Sequence, residues 1–323
     1  MSKPMALMGP KYDGEYLHNL IRGVLGERTL HQTITNVVIP AFDIKLLQPA
    51  IFSSHDAVIT DASEYTFLSD ICIGSSAAPT YFPAFHFQTT DSQGNAKEFN
   101  LVDGGVAANN PTAVAVKLLQ GESLKAKADY LPPKAIDYEK YLVISLGTGN
   151  SKNEKKYNAS VAAKWGIFGW LYTGGNSPLI DTFTQASGDM VDLHMAMLFS
   201  TVQCERNYLR IQDDSLTGTA SSIDWATEEN MENLKQIGEE LLKKPVSRVN
   251  LDSGHFEPIE MEGTNEEALT RLALGSFCLA CCRIVHQVGN CFGVRNLLKG
   301  WKQANCTCAG CQLIVSRSKP NRE

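Results

Sequence analysis

The sequence has no long hydrophobic run. Its longest apolar stretch, Leu272 to Cys282, covers 11 of 323 residues, about half of the ~20 needed to span a bilayer, so no transmembrane helix is expected. The opening residues, MSKPMALMGPKYDGEYL, lack the apolar segment and small-residue cleavage site of a secretory signal. A cytoplasmic location is therefore the expectation, with membrane contact only at the periphery. Cysteine is scarce before residue 273, where only Cys72 and Cys204 occur; this argues against a disulfide scaffold and suits a reducing compartment. Basic charge is short there too. Residues 273–323 hold seven Lys or Arg against the single acid Glu323, so of the formal net charge of −6 they contribute +6 and the preceding residues −12. An acidic body without a basic stripe repels phosphate backbones, which excludes nucleic acid as the expected partner. The seven histidines are dispersed, none at metal-ligand spacing in the body, and are read as structural or surface residues.

What is present suits a large α/β domain: 43% of the residues are hydrophobic and 20% charged, enough for a sizeable core. From Asp13, a plausible N-cap, Leu17, Leu20, Ile21, Val24 and Leu25 follow a helical period that Gly26 stops. NVVIPAFDI (36–44) and YLVIS (141–145) are short β-branched runs of the kind found in buried strands. EFNLVDGG reads as a strand ending in Asp103, Gly104 and Gly105, and NNPTAVAVKLLQ then opens a helix with Asn110 as N-cap and Pro111 behind it. Asp103 is thus expected on a loop at a strand's C-terminal end, the edge where open α/β sheets bind ligands. Further helices are expected over 230–244 and from NEEALTRLAL. Near residue 272 the character changes: a domain over 1–272 gives way to a basic tail, 273–323, holding seven of the nine cysteines.

Asp-Gly is also an ordinary turn, so context must decide its meaning. In order and spacing, GPKYDGEYL, AFDIK, ICIGSSAAPTYFP, EFNLVDGGVAANNP, VISLGTGNS, NYLRIQ and EEALTRLA resemble the patatin-like phospholipase family from about Gly9 to Ala273. The resemblance implies a three-layer fold with a mostly parallel central sheet flanked by helices. It also implies hydrolysis of fatty-acyl esters of phospholipids and galactolipids at a membrane surface by a Ser-Asp dyad, without cofactor. Asp103 would take the proton of a serine in a Gly-x-Ser-x-Gly elbow, because a serine hydroxyl is a poor nucleophile until a base relieves it of that proton. Gly104 and Gly105 would let the chain turn sharply and keep the approach open.

The family's nucleophile elbow is not in these residues. Of the 25 glycines only Gly289 and Gly293 lie four apart, and they enclose Cys291. The resemblance puts the elbow and a Gly-rich oxyanion loop upstream of GPKYDG, so an N-terminally truncated domain, inactive alone and poorly stable, is the expectation. Ser75 and Ser76 sit by resemblance near the site mouth, but Gly-Ser-Ser-Ala-Ala lacks the second glycine of an elbow; a cap and packing role is expected. SLGTG (145–149) lacks the lysine of a phosphate loop and reads as a tight turn. The aromatics Trp165, Phe168, Trp170 and Tyr172 are expected to pack in the core, with lipid contact as the alternative. In the tail, Cys306, Cys308 and Cys311 have zinc-ligand spacing. A zinc-dependent interaction module and a non-catalytic lipid-binding or storage protein therefore stand as alternatives. Oligomeric state is not legible.

Overall fold

The structure, a computed structural model, describes residues 9–54, 66–90, 93–125, 141–151, 157–174, 176–277, 282–285 and 314–317. The first half contains α1 (Glu15–Leu25), β1 (Val38–Asp43), β2 (Gln48–Ser53), α2 (Leu68–Ser75), β3 (Phe85–Thr90), β4 (Ala96–Val102), α3 (Gly105–Ala108), α4 (Thr112–Lys125) and β5 (Val143–Leu146). There follow α5 (Ala159–Ala162), α6 (Ile167–Leu171), α7 (Pro178–Thr201), β6 (Tyr208–Ile211), α8 (Glu228–Lys243), β7 (Ser247–Val249), β8 (Phe256–Pro258), α9 (Asn265–Phe277), β9 (Cys282–Val285) and β10 (Ile314–Arg317). Among the described residues no helix is long and apolar enough to cross a membrane.

Local chemistry sets the boundaries. Gly26 ends α1 at φ 58°, its N–H donating to the Arg22 carbonyl. Asp13 acts one position before the cap, its carboxylate accepting from the Glu15 N–H at 3.0 Å. Thr227 caps α8 by accepting from Asn230 N–H, and Pro245, which cannot donate to a preceding turn, follows the helix. Glu266 and Glu267 occupy the first turn of α9, where the helix dipole favours negative charge.

The α/β class holds, but the pairing is mixed rather than mostly parallel. The largest sheet runs β2-β1-β4-β3 and every pair in it is antiparallel; the parallel pair is β5 with β6. Connection length explains this. β1 to β2 and β3 to β4 are joined by residues 44–47 and 91–95, far short of the dozen or so residues a parallel crossover needs, whereas β5 reaches β6 through a crossover containing α5, α6 and α7. Asp43 closes the first hairpin: one carboxylate oxygen accepts from Lys45 and Leu46 N–H at 2.9 and 3.0 Å, and the other from Asn100 N–H at 3.2 Å.

Helices cover both faces of these strands. On β1, Ile39 and Ala41 pack toward Ile71 of α2 and Ile21 and Leu25 of α1, while Val38 meets Val114 and Leu118 of α4. Around β5, Val143 packs with Ala115, Val116, Met195 and Phe199 of α4 and α7, while Ile144 and Leu146 face Leu241, Ala268 and Leu272 of α8 and α9. This helix, sheet, helix stacking is the three-layer arrangement expected, and β1 and β5 are apolar on both faces because helices cover both. The tail cysteines Cys306, Cys308 and Cys311 lie outside the described residues. Among the described residues no group of three or more His, Cys, Asp or Glu is placed to hold a metal ion.

Candidate active site

Strand β4 ends at Val102 and delivers Asp103 into a turn that three segments hold in place. The Asp103 N–H donates to the Ala77 carbonyl at 3.1 Å and the Gly104 N–H to the Ser75 carbonyl at 3.2 Å. Ser75 itself donates its hydroxyl to the Pro40 carbonyl of β1 at 2.7 Å. The strand end, the C-terminus of α2 and β1 are thereby tied together. Ser75 spends its proton on main chain, and Ser76 closes α2, its N–H donating to the Cys72 carbonyl.

Gly104 is required for a reason other than turn freedom. Its backbone is right-handed helical, at φ −61° and ψ −25°, a conformation any residue adopts. What excludes a side chain is space: a Cβ here would fall 2.2 Å from the Pro40 carbonyl oxygen. Gly105 serves the carboxylate directly, its N–H donating to Asp103 Oδ1 at 2.6 Å. Burial pushes the Asp103 carboxyl up to about 6, against the downward pull of that N–H. A carboxylate so placed exchanges a proton near neutral pH, as a general base requires.

A small polar cleft lies next to the turn. Asp103 Oδ1 and Asn109 Oδ1 lie 2.9 and 3.4 Å from the point where a Gly105 Cβ would sit, and Asn109, though not Asp103, lines the cleft with Thr148, Asn150, Gln185 and Asp189. Thr148 and Asn150 follow β5, so the cleft lies at the C-terminal edge of the parallel pair, the ligand edge of α/β sheets. The SLGTG segment is the turn expected, with Gly149 at φ +85°. Gly147 in it has no room for a side chain, since a Cβ would meet Gln212 Oε1.

Asn110, Asp192 and Arg210, which also line the cleft, belong to a buried network the sequence reading missed. Arg210 Nε lies 3.1 and 3.3 Å from the two oxygens of Asp192, with both side chains 7% exposed. Asn110 Nδ2 donates to Asp192 Oδ1 at 2.7 Å; Arg210 Nη1 donates to Ser145 Oγ at 3.3 Å, and Ser145 shares a 2.7 Å hydrogen bond with Thr112. Desolvation raises the Asp192 carboxyl despite Arg210 and Asn110. Asn110 accepts from Thr112 N–H at 3.2 Å, close to the cap role expected of it, and the same side chain anchors the Asp103 loop to α7. A signal was present: Asp192 and Arg210 are charges set inside apolar runs, MVDLHM and YLRI, which strand and helix burial permits only when they are paired.

The core-packing expectation for the aromatics in and around α6 fails for three of them. Trp165 packs edge-on against Trp170 at 5.4 Å, but Trp170, Phe168 and Tyr172 are exposed, Phe168 by 87%.

Known proteins share this arrangement of sequence. The patatin-like phospholipase family profile matches residues 2–116. "Patatin-like protein 3" of Arabidopsis thaliana is 52% identical over 265 residues, 82% of this chain and 62% of the relative. "Patatin-like protein 2" of the same organism is 54% identical over 268 residues, 83% of this chain and 65% of the relative. "Probable inactive patatin-3-Kuras 1" of Solanum tuberosum is 43% identical over 252 residues, 76% of this chain and 64% of the relative. The chain thus spans less than two thirds of the length of these relatives. With identity near one half over four-fifths of its residues, and with the Asp-Gly-Gly turn inside the matched region, the chain belongs to the patatin-like family.

Proposed function

We propose that this chain carries the base of a lipid acyl hydrolase that cleaves fatty-acyl esters of phospholipids and galactolipids. In this reading Asp103 accepts the proton of a serine hydroxyl as that oxygen attacks the ester carbonyl. The alcohol leaves with the proton, and water then releases the fatty acid from the acyl-enzyme. The observation that carries it is the Asp103 carboxyl itself, held by Gly105 at 2.6 Å and raised to about 6 by burial in the turn that follows β4. No cofactor or metal enters the scheme.

The serine of a Gly-x-Ser-x-Gly elbow is not among these 323 residues, and loss of one oxyanion donor alone lowers rates by ~10²–10³ in well-studied hydrolases. The 323-residue chain is therefore expected to turn over a fluorogenic acyl ester at close to background. A chimaera in which a serine-bearing strand and helix precede Gly9 should hydrolyse it, and Asp103→Asn should abolish that gain. Unchanged activity in the Asp103→Asn chimaera would remove Asp103 from the mechanism.

A second reading is favoured by the printed name of the potato relative, "Probable inactive patatin-3-Kuras 1": a non-catalytic lipid-binding protein on the family's fold. Vesicle binding together with background esterase activity in both chain and chimaera supports it.

A further inference from the structure

We propose that α6 and the first turns of α7 form a docking surface for an uncharged lipid interface. Ile167, Phe168, Leu171 and Tyr172 are 76%, 87%, 48% and 61% exposed, and beside them on α7 Ile180 and Phe183 are 48% and 69% exposed. Together these side chains present on the order of 800 Å² of mostly apolar surface, more than the roughly 300–600 Å² of the largest patch on an ordinary monomer.

The protrusion is built to hold these groups outward. Trp165 packs edge-on between Tyr157 at 5.7 Å and Trp170 at 5.4 Å, and the Tyr157 hydroxyl donates to Asp181 of α7 at 2.6 Å. Gly169 lets the turn sit against Trp165, where a Cβ would come within 2.8 Å of that side chain. Thr173 locks the helix end by donating its hydroxyl to the Gly169 carbonyl at 2.6 Å, and Thr173 and Asn176 exchange main-chain hydrogen bonds across the turn that follows. Side chains held outward in advance lose little conformational freedom on insertion.

Charge selects the partner. Residues 165–180 contain no charged side chain, and the body that carries them has a net charge of −12. Such a surface gains nothing from an anionic membrane and everything from burial in the headgroup and acyl boundary, where Trp and Tyr, apolar with one polar atom, are favoured. Gln185, which lines the cleft beside Asn109, is two residues past Phe183 and faces the other side of α7, so the patch stands on its own exposure and charge, and binding needs no catalysis.

The test is flotation of the 323-residue chain with phosphatidylcholine vesicles at 0.1 and 0.5 M salt. The wild-type chain should float equally at both salts. The double variant Phe168→Ser, Phe183→Ser should bind at least about ten-fold more weakly while keeping its melting temperature, and Asp103→Asn should bind as wild type. Failure of the wild-type chain to float, binding lost at high salt, or full binding by the double variant overturns the proposal. A wild-type dimer that the double variant converts to monomers also overturns it, assigning the patch to a second copy of the chain. Binding by wild type and Asp103→Asn with no hydrolysis in the chimaera leaves docking standing and removes the hydrolase reading.

Discussion

At the Asp103 turn, main-chain hydrogen bonds to Ala77 and Ser75 fix the chain, and Gly104 has no space for a Cβ against Pro40. In α6 the reverse holds: Phe168 and Ile167 stand in solvent, and Gly166 at its start has nothing within 4 Å of its Cβ position. The first region is over-determined around a carboxylate that burial disfavours. The second leaves unburied apolar surface that water disfavours. In both, local free energy is given up in the isolated fold, and each deficit points to what would relieve it: a proton at Asp103, a lipid surface at α6.

The contrast can be broken at several points. The largest effect is expected behind the turn, where Asp192→Ala leaves Arg210 buried and unpaired; urea denaturation should show a loss of about 3–5 kcal/mol. Next, Gly104→Ala should cost about 3 kcal/mol, because the obstacle is a carbonyl of β1 rather than a movable side chain. Gly166→Ala, with open space, should stay within about 0.5 kcal/mol in the same assay. Equal costs for the two glycine variants would erase the distinction between the regions.

Asp103→Asn should act in the opposite direction and stabilise. The folded-state carboxyl at about 6 lies above its unfolded value near 4, so burial of the ionised group opposes folding at pH above 6. As the pH falls from 6 toward 4 the folded chain binds the proton first and wild-type stability rises; below 4 both states are protonated and the rise ends. The Asn variant, uncharged throughout, should therefore be more stable by ~1–3 kcal/mol at pH 8, with the gap closing below pH 4. A gap independent of pH would mean that ionisation of Asp103 is not what burial opposes. The smallest effect is expected at Phe168→Ser, which should leave the melting temperature unchanged within about 1 °C.

Much of the scaffold was legible because its signals are local. The period of α1, the β-branched runs of β1 and β5, the break at Pro245 and the placing of Asp103 after a strand all follow from neighbours a few residues apart. The antiparallel pairing was not, although the short links 44–47 and 91–95 already forbid a parallel crossover. Helix α7 escaped notice because both its faces are apolar, with Met195 and Phe199 inside and Phe183, Met190 and Met197 outside, which blurs the helical period. The Asn110, Asp192 and Arg210 network joins residues up to 100 positions apart, beyond any pattern in a window. Gly104 shows a subtler limit: the sequence marks a glycine, but only the fold reveals that the constraint is Pro40 rather than backbone conformation.

The account turns on the desolvated carboxylate in the Asp103 turn. Carboxyl ¹³C NMR titration of the folded 323-residue chain, with the resonance assigned by its absence in Asp103→Asn, tests this most directly. A midpoint about 6 is predicted; a midpoint near 4, that of a solvated aspartate, would contradict it.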